Sequence, residues 1–254
     1  KNAKARTYFR RYHRQLGIFT SIFMLMFAFS GAYHATTKFD PGKETPVAYR
    51  PILKASSLRI EPRHLNLFWD RLQNISVVAM KKDTLYQVSY QGTEDYPEET
   101  AYYNTHDGAL LENGDVVYAK FLTRKFAYGK DTDMQVPECC VRPNEESNGP
   151  VEILDTEKVY HFTREYSFAN KRLPVIKVSV KSADNKRYFI ETTHSLLAAR
   201  VNDADMREGY SFAFLHKFFF MEWAGKGIRD FTMAVSALAV LIVSLLGLAI
   251  LFKK

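Results

Sequence analysis

Cysteine is nearly missing from this chain of 254 residues: there are two, Cys139 and Cys140, and they are neighbours. Adjacent Cα atoms lie about 3.8 Å apart, short of the usual disulfide span of roughly 4.4–6.8 Å, so no disulfide framework holds the fold. A vicinal disulfide would be strained and easily reduced, which makes the pair a candidate redox element. The plainer readings are two loop thiols or pairing with another chain. Signature motifs are also missing: no P-loop, G-x-S-x-G, H-E-x-x-H or G-x-G-x-x-G pattern occurs, so nothing binds a nicotinamide or flavin by a recognisable motif. The seven histidines show no H-x-x-x-H ligand spacing. Of these, His64, His106, His161 and His194 read as surface or core side chains of a folded domain.

Charge is absent from two long apolar runs, Leu16–Ala35 and Phe231–Phe252. About 20 apolar residues cover a hydrocarbon core about 30 Å thick, so both runs are long enough to cross a bilayer as helices. The first exceeds a signal-peptide apolar region and has no A-x-A-like site before Lys38, so it reads as an uncleaved anchor. Acid is absent from residues 1–15, which carry Lys1, Lys4, Arg6, Arg10, Arg11 and Arg14; Lys253 and Lys254 close the other end. Outside these eight, 27 basic residues face 28 acidic ones, so the net +7 belongs to the membrane flanks. That distribution argues for topology rather than nucleic-acid binding. Short basic flanks stay cytoplasmic, which predicts both ends inside and the stretch between the spans outside. Continuation beyond Lys254 is left open.

The expected layout is a cytoplasmic N-terminus (1–15), a first span (16–36), an external domain (37–209), an interfacial aromatic segment (210–224), a second span (228–252) and a short cytoplasmic end (253–254). Within the external domain, Pro62 opens a helix candidate with Leu65, Phe68, Trp69 and Leu72 at helical spacing. Strands are predicted at Ile75–Met80, Leu85–Tyr90, Ala101–Asn104, Lys158–Phe162, Pro174–Lys181 and Arg187–Glu191, and a short amphipathic helix at Val116–Tyr128. A polar loop, Pro137–Pro150, separates two halves, about 58–128 and 151–203. The strand–turn–strand outline of Ala101–Leu111 recurs in Tyr188–Val201, which suggests a weak duplication of a helix-plus-antiparallel-sheet unit. The fold class is thus membrane α+β. Tyr210–Trp223 suits an interfacial helix on the outer leaflet, and Gly31, Ala35, Ser236, Ser244 and Gly247 permit close helix approach or dimerisation.

Three histidines sit at the membrane boundaries: His13, His34 and His216. The 21 residues from His13 to His34 span about 31 Å of helix, so these two belong to opposite faces of the membrane. His216 is expected on the same side as His34. Interfacial histidines often do no more than bond headgroups or backbone. Histidines at membrane depth are also candidate functional residues, and a pair of neutral imidazoles makes a good axial set for haem iron.

The segment Tyr12-His13-Arg14-Gln15-Leu16-Gly17 leads into a span ending Ser30-Gly31. Phe214-Leu215-His216-Lys217-Phe218 and Gly225-Lys226-Gly227-Ile228-Arg229-Asp230 precede a second span containing Leu245-Leu246-Gly247. End to end, this pattern resembles the PepSY-associated transmembrane family, bacterial inner-membrane proteins whose helices bracket periplasmic PepSY units. The resemblance implies a periplasmic domain of two PepSY-like units. It also implies haem b, with His34 and His216 as one axial pair. His13 would be a ligand near the cytoplasmic face, alone or with its symmetry mate. An activity as a ferric-siderophore or other metal reductase follows, fed by quinol or a redox partner in a dimer or larger complex. Other members are non-enzymatic accessory proteins that bind a partner or ligand beside a transporter. Family members often carry four or more helices, so a four-helix haem site here needs a second copy or further chain.

Overall fold

The computed structural model describes residues 2–38, 48–92, 99–128, 151–167 and 172–252. Cys139, Cys140 and the whole Pro137–Pro150 segment lie outside the described residues. The ends, Lys1–Lys43 and Ala204–Lys254, form one compact unit, and Glu44–Asp203 forms another. In chain order the elements are α1 (Asn2–Lys38), β1 (Leu72–Met80), β2 (Asp83–Tyr90), β3 (Glu99–Asn104), α2 (Gly114–Tyr128), β4 (Ile153–Val159), β5 (Val175–Val180), β6 (Arg187–Glu191), β7 (Leu196–Val201), α3 (Asp203–Ser211) and α4 (Lys226–Phe252).

Two helices of the first unit are long and apolar enough to cross a membrane. Arg10–Thr37 of α1 has mean hydropathy 1.7 and Lys226–Phe252 has 2.8, yet only 11% and 6% of these apolar windows are buried. A core helix of similar composition would hide such side chains. Here Ile18 and Phe19 are each 72% exposed, which suits contact with lipid. The packed face of α1 is a stripe at helical spacing through His13, Gly17, Thr20, Phe27, Ser30 and His34. Thr20 and Ser30 are buried, and each donates its hydroxyl to the carbonyl four residues back, Leu16 and Met26, so neither leaves an unsatisfied group in apolar surroundings. The site of a Gly17 Cβ faces Val243, and His13 reaches Val243 and Gly247, so α1 and α4 run antiparallel.

The second unit is α+β with two antiparallel sheets, ordered β1-β2-β3 and β4-β5-β6-β7. β1 and β2 form a hairpin closed by Lys81 and Lys82, with Met80 opposite Asp83 and Lys81 in the left-handed region. Asp107-Gly108 turns the chain back onto β3, where Leu110 bridges Tyr103 and Gly108 supplies a φ of +73°. Period-two alternation then divides the first sheet. Val78, Met80, Leu85 and Tyr102 join one core with α2 and the second sheet, while Tyr86, Val88, Tyr90 and Tyr103 pack under Leu65 and Leu67. Helix α2 therefore serves both sheets: Tyr118, Ala119 and Leu122 are fully buried beside Val178, Tyr188 and Ile190.

Three local expectations are corrected. The segment after Pro62 is not a helix: Pro62–His64 and Trp69–Arg71 are single 3-10 turns. Leu65 and Leu67 are buried at alternate positions while Phe68 and Trp69 are exposed, and the N–H groups of Arg59 and Ile60 both donate to the Thr105 carbonyl. The half 58–128 thus runs sheet then helix, not helix then sheet. β4 lies at Ile153–Val159, earlier than Lys158–Phe162; it is an edge strand paired only with β5, so its polar run gave no apolar signal. The segment 210–224 is not one helix. It continues α3 through a π-helical turn, Phe212–His216, into a 3-10 segment, Phe219–Ala224.

Candidate functional site

The helical unit brings His34 and His216 together. From α3, Glu208 is 2% exposed and its Oε1 lies 2.5 Å from His34 Nδ1. One turn on, the Phe212 ring stands 4.7 Å from the His34 ring and 4.5 Å from His216, stacked on the latter at 13°. The π turn then carries His216 to α1, where its Nδ1 meets Ser30 Oγ at 3.1 Å. Phe27 packs edge-on against His216 at 5.2 Å, and fully buried Phe218 stacks on Phe27 at 5.7 Å. Phe218 has left-handed backbone, φ 53°, which turns the chain sharply after the π turn.

The hydrogen-bond partners settle which ring nitrogen carries the proton. Ser30 spends its own proton on the Met26 carbonyl at 2.7 Å, so its oxygen accepts from His216 Nδ1–H. An ionised Glu208 only accepts, so His34 Nδ1 donates to it. In the neutral form of either ring, Nε2 would keep the lone pair. Burial, then the nearby His34 ring and Lys217, pushes His216 below the ordinary histidine value, which favours the neutral, ligating form.

His13, at the opposite end of the helix pair, repeats the arrangement with different partners. Its Nδ1 lies 3.1 Å from the Val243 carbonyl, a group that only accepts, so Nε2 is again the free nitrogen. Gly247 makes room for the ring: a Cβ there would stand 3.1 Å from His13 Cε1. As neutral rings, all three imidazoles would present Nε2, with Nδ1 held by a carboxylate, a hydroxyl or a carbonyl. Histidines bound to metals characteristically have this outer support. One or two imidazoles per end suit a metal that arrives with its own equatorial ligands, and a haem fits that donor chemistry.

Sequence reading missed Glu208 and Ser30. Their signal was spacing: Glu208, Phe212 and His216 recur every four residues, and Ser30 precedes His34 by four. The remaining histidines stay apart from this group. His106 accepts from Arg59 at 2.7 Å, His194 bonds Glu191 at 2.9 Å, and His64 and His161 are exposed.

The second unit has its own buried polar cluster. Gln87 Nε2 donates to Tyr102 Oη and to the Thr192 carbonyl, and Tyr102 donates to Asp115 Oδ1 at 3.1 Å; Lys158 Nζ lies 3.8 Å from the same carboxylate. Of these, Asp115, Lys158 and Thr192 edge a small cleft with Thr100, Tyr160 and Thr193. Burial pushes the Asp115 carboxyl above its ordinary value of 3.8, while Thr192, Lys158 and Tyr102 pull it down less strongly. A carboxyl raised in the fold lends full stability below its unfolded value and loses that support as pH climbs through the folded one. Asp115→Asn keeps an acceptor for Tyr102 and removes the buried charge. Thermal unfolding of the full chain in detergent is expected to show Tm unchanged near pH 3.5 and raised by a few degrees near pH 7.5, at roughly 2–4 °C per kcal/mol.

Comparison with protein-family models, with curated proteins and with solved structures gives no match for this chain.

Proposed function

We propose that this chain is a haem-bearing redox protein of a bacterial inner membrane, akin to the PepSY-associated transmembrane proteins. In this reading it passes electrons to an external acceptor such as a ferric-siderophore or another iron complex. The observation that carries the reading is that each of the three imidazoles has its Nδ1 engaged, an arrangement that in the neutral ring would leave Nε2 for a metal. His34 and His216 would hold one haem b and His13 another, and haem supplies one-electron redox chemistry. In this reading Glu208 and Ser30 hold the aim of their rings, and Phe27 and Phe212 pack against His216 while the His34 side chain stays 43% exposed. A quinol giving up two electrons and two protons would reduce two ferric complexes to ferrous, one electron each. In this reading the chain ends lie in the cytoplasm and the Glu44–Asp203 unit in the periplasm, an orientation that the basic flanks support. The order α2 then β4–β7 supports a PepSY-like unit in the second half.

The test is a reduced-minus-oxidised visible spectrum of protein purified in mild detergent from haem-replete cells. The expected result is a low-spin b-type signal that His34→Ala or His216→Ala weakens about tenfold or more in haem retention. Protein with no Soret band would overturn the reading and return the chain to a role as a non-enzymatic accessory.

A further inference from the structure

We infer that the cleft beside Asp115 is a binding site for a primary ammonium group, with the Asp115 carboxylate as counter-ion and the hydroxyl-bearing residues around it as acceptors. The cleft belongs to the Glu44–Asp203 unit and draws on both of its sheets. Thr100 comes from β3, Asp115 from the first turn of α2 and Lys158 from β4, with Tyr160 just past it; Thr192 and Thr193 lie in the turn between β6 and β7. The enclosed space is about 20 Å³, room for one water-sized group. An ammonium head has that size and donates up to three hydrogen bonds, and a threonine or tyrosine hydroxyl can accept one.

The carboxylate is prepared for a cation but has none within hydrogen-bond reach. Its side chain is only 14% exposed, and a buried carboxylate is costly unless it is both paired and hydrogen-bonded. It offers about four acceptor sites, and Tyr102 and Thr192 fill two of them. Lys158 Nζ stands 3.8 Å from Oδ2, too far for a hydrogen bond, and its side chain is 39% exposed, so it can swing into water. The lysine holds the place of a cation without filling it. An ammonium group seated in the cleft would bond the same carboxylate directly. The buried charge that costs the fold stability is then the charge that a ligand uses, which gives Asp115 a reason to be there.

The probe is methylammonium chloride, added to the full chain in detergent at neutral pH, with tetramethylammonium chloride at equal concentration as the salt control. A ligand of two heavy atoms binds in the millimolar range at best, so about 0.1 M is needed. Methylammonium is expected to raise Tm by a few degrees, and tetramethylammonium, which has no N–H and exceeds the cleft, to leave it unchanged. Asp115→Asn is expected to abolish the difference between the two salts. Lys158→Met clears the resident cation and is expected to tighten methylammonium binding severalfold, a response that a purely structural ion pair would not give. Should either variant fail to fold, Thr193→Val at the edge of the cleft is expected to weaken binding severalfold. Tighter binding of Nα-acetyl-lysine methylamide than of methylammonium would assign the ammonium to a lysine of a partner protein, and the reverse order to a free amine. Equal effects of the two salts on the wild type, or a methylammonium response that survives Asp115→Asn, would overturn the inference.

Discussion

Under the proposed haem reading, Glu208→Ala is expected to weaken haem retention at the His34 end by about 10–100-fold, while Glu208→Gln keeps most of it. Alanine leaves the His34 Nδ1–H without its acceptor, freeing the ring to turn and to exchange tautomers, so Nε2 is no longer presented with a fixed aim. Glutamine offers a carbonyl oxygen at the same place and holds the tautomer, but it removes the negative charge that makes the imidazole a stronger donor. The two variants therefore separate orientation from electrostatics. Retention reports the first; the midpoint potential reports the second and is expected to rise in Glu208→Gln, because a less basic ligand stabilises ferric iron less. A purely structural role for Glu208 would lower thermal stability in both variants without moving the potential of the haem that stays bound.

Leu122→Ala is expected to destabilise the Glu44–Asp203 unit by about 2–5 kcal/mol, the range for emptying a fully buried leucine site. Leu122 is 0% exposed, and its cluster holds Val78 and Leu85 from the first sheet as well as Val178 and Ile190 from the second. Because α2 is the shared element, both sheets are expected to lose amide protection together in hydrogen exchange. Loss of protection in β4–β7 alone, with β1–β3 untouched, would contradict a common core. Val88→Ala makes a useful contrast, since Val88 belongs to the other cluster, under Leu65 and Leu67, and is expected to loosen the first sheet first.

What could be read from sequence follows how local each signal is. The two long apolar helices were legible because each run is charge-free over some twenty residues, and the hairpins because Lys81-Lys82 and Asp107-Gly108 fit turn geometry within a few residues. Helix α2 showed its period because apolar residues recur on its packed faces. The Pro62 segment misled for a physical reason. Leu65, Phe68, Trp69 and Leu72 satisfy helical spacing by number, but only Leu65 and Leu67 reach the core, and the backbone before them is tied to Thr105. β4 was misplaced because an edge strand needs no apolar face on its open side. Of the candidate site, the three histidines were visible as residues out of place at membrane boundaries. Their partners were not, because Glu208 meets His34 across 174 residues of chain and Ser30 meets His216 across 186.

The turn at Phe212–His216 ties the length of this segment to its chemistry. In a π turn the Lys217 N–H reaches back five residues to the Phe212 carbonyl, one more than in an α-helix. That single surplus residue sets the rotational phase at which His216 arrives beside Ser30. Tightening the turn to α geometry with all its residues kept would carry His216 roughly 70° around the helix axis, away from Ser30, whereas deleting one residue at the same time would restore the phase to within about 30°. The helix type held by the backbone here is therefore as much a part of the site as the residues themselves, and a substitution that favours the α turn is expected to part His216 from Ser30 without touching either residue.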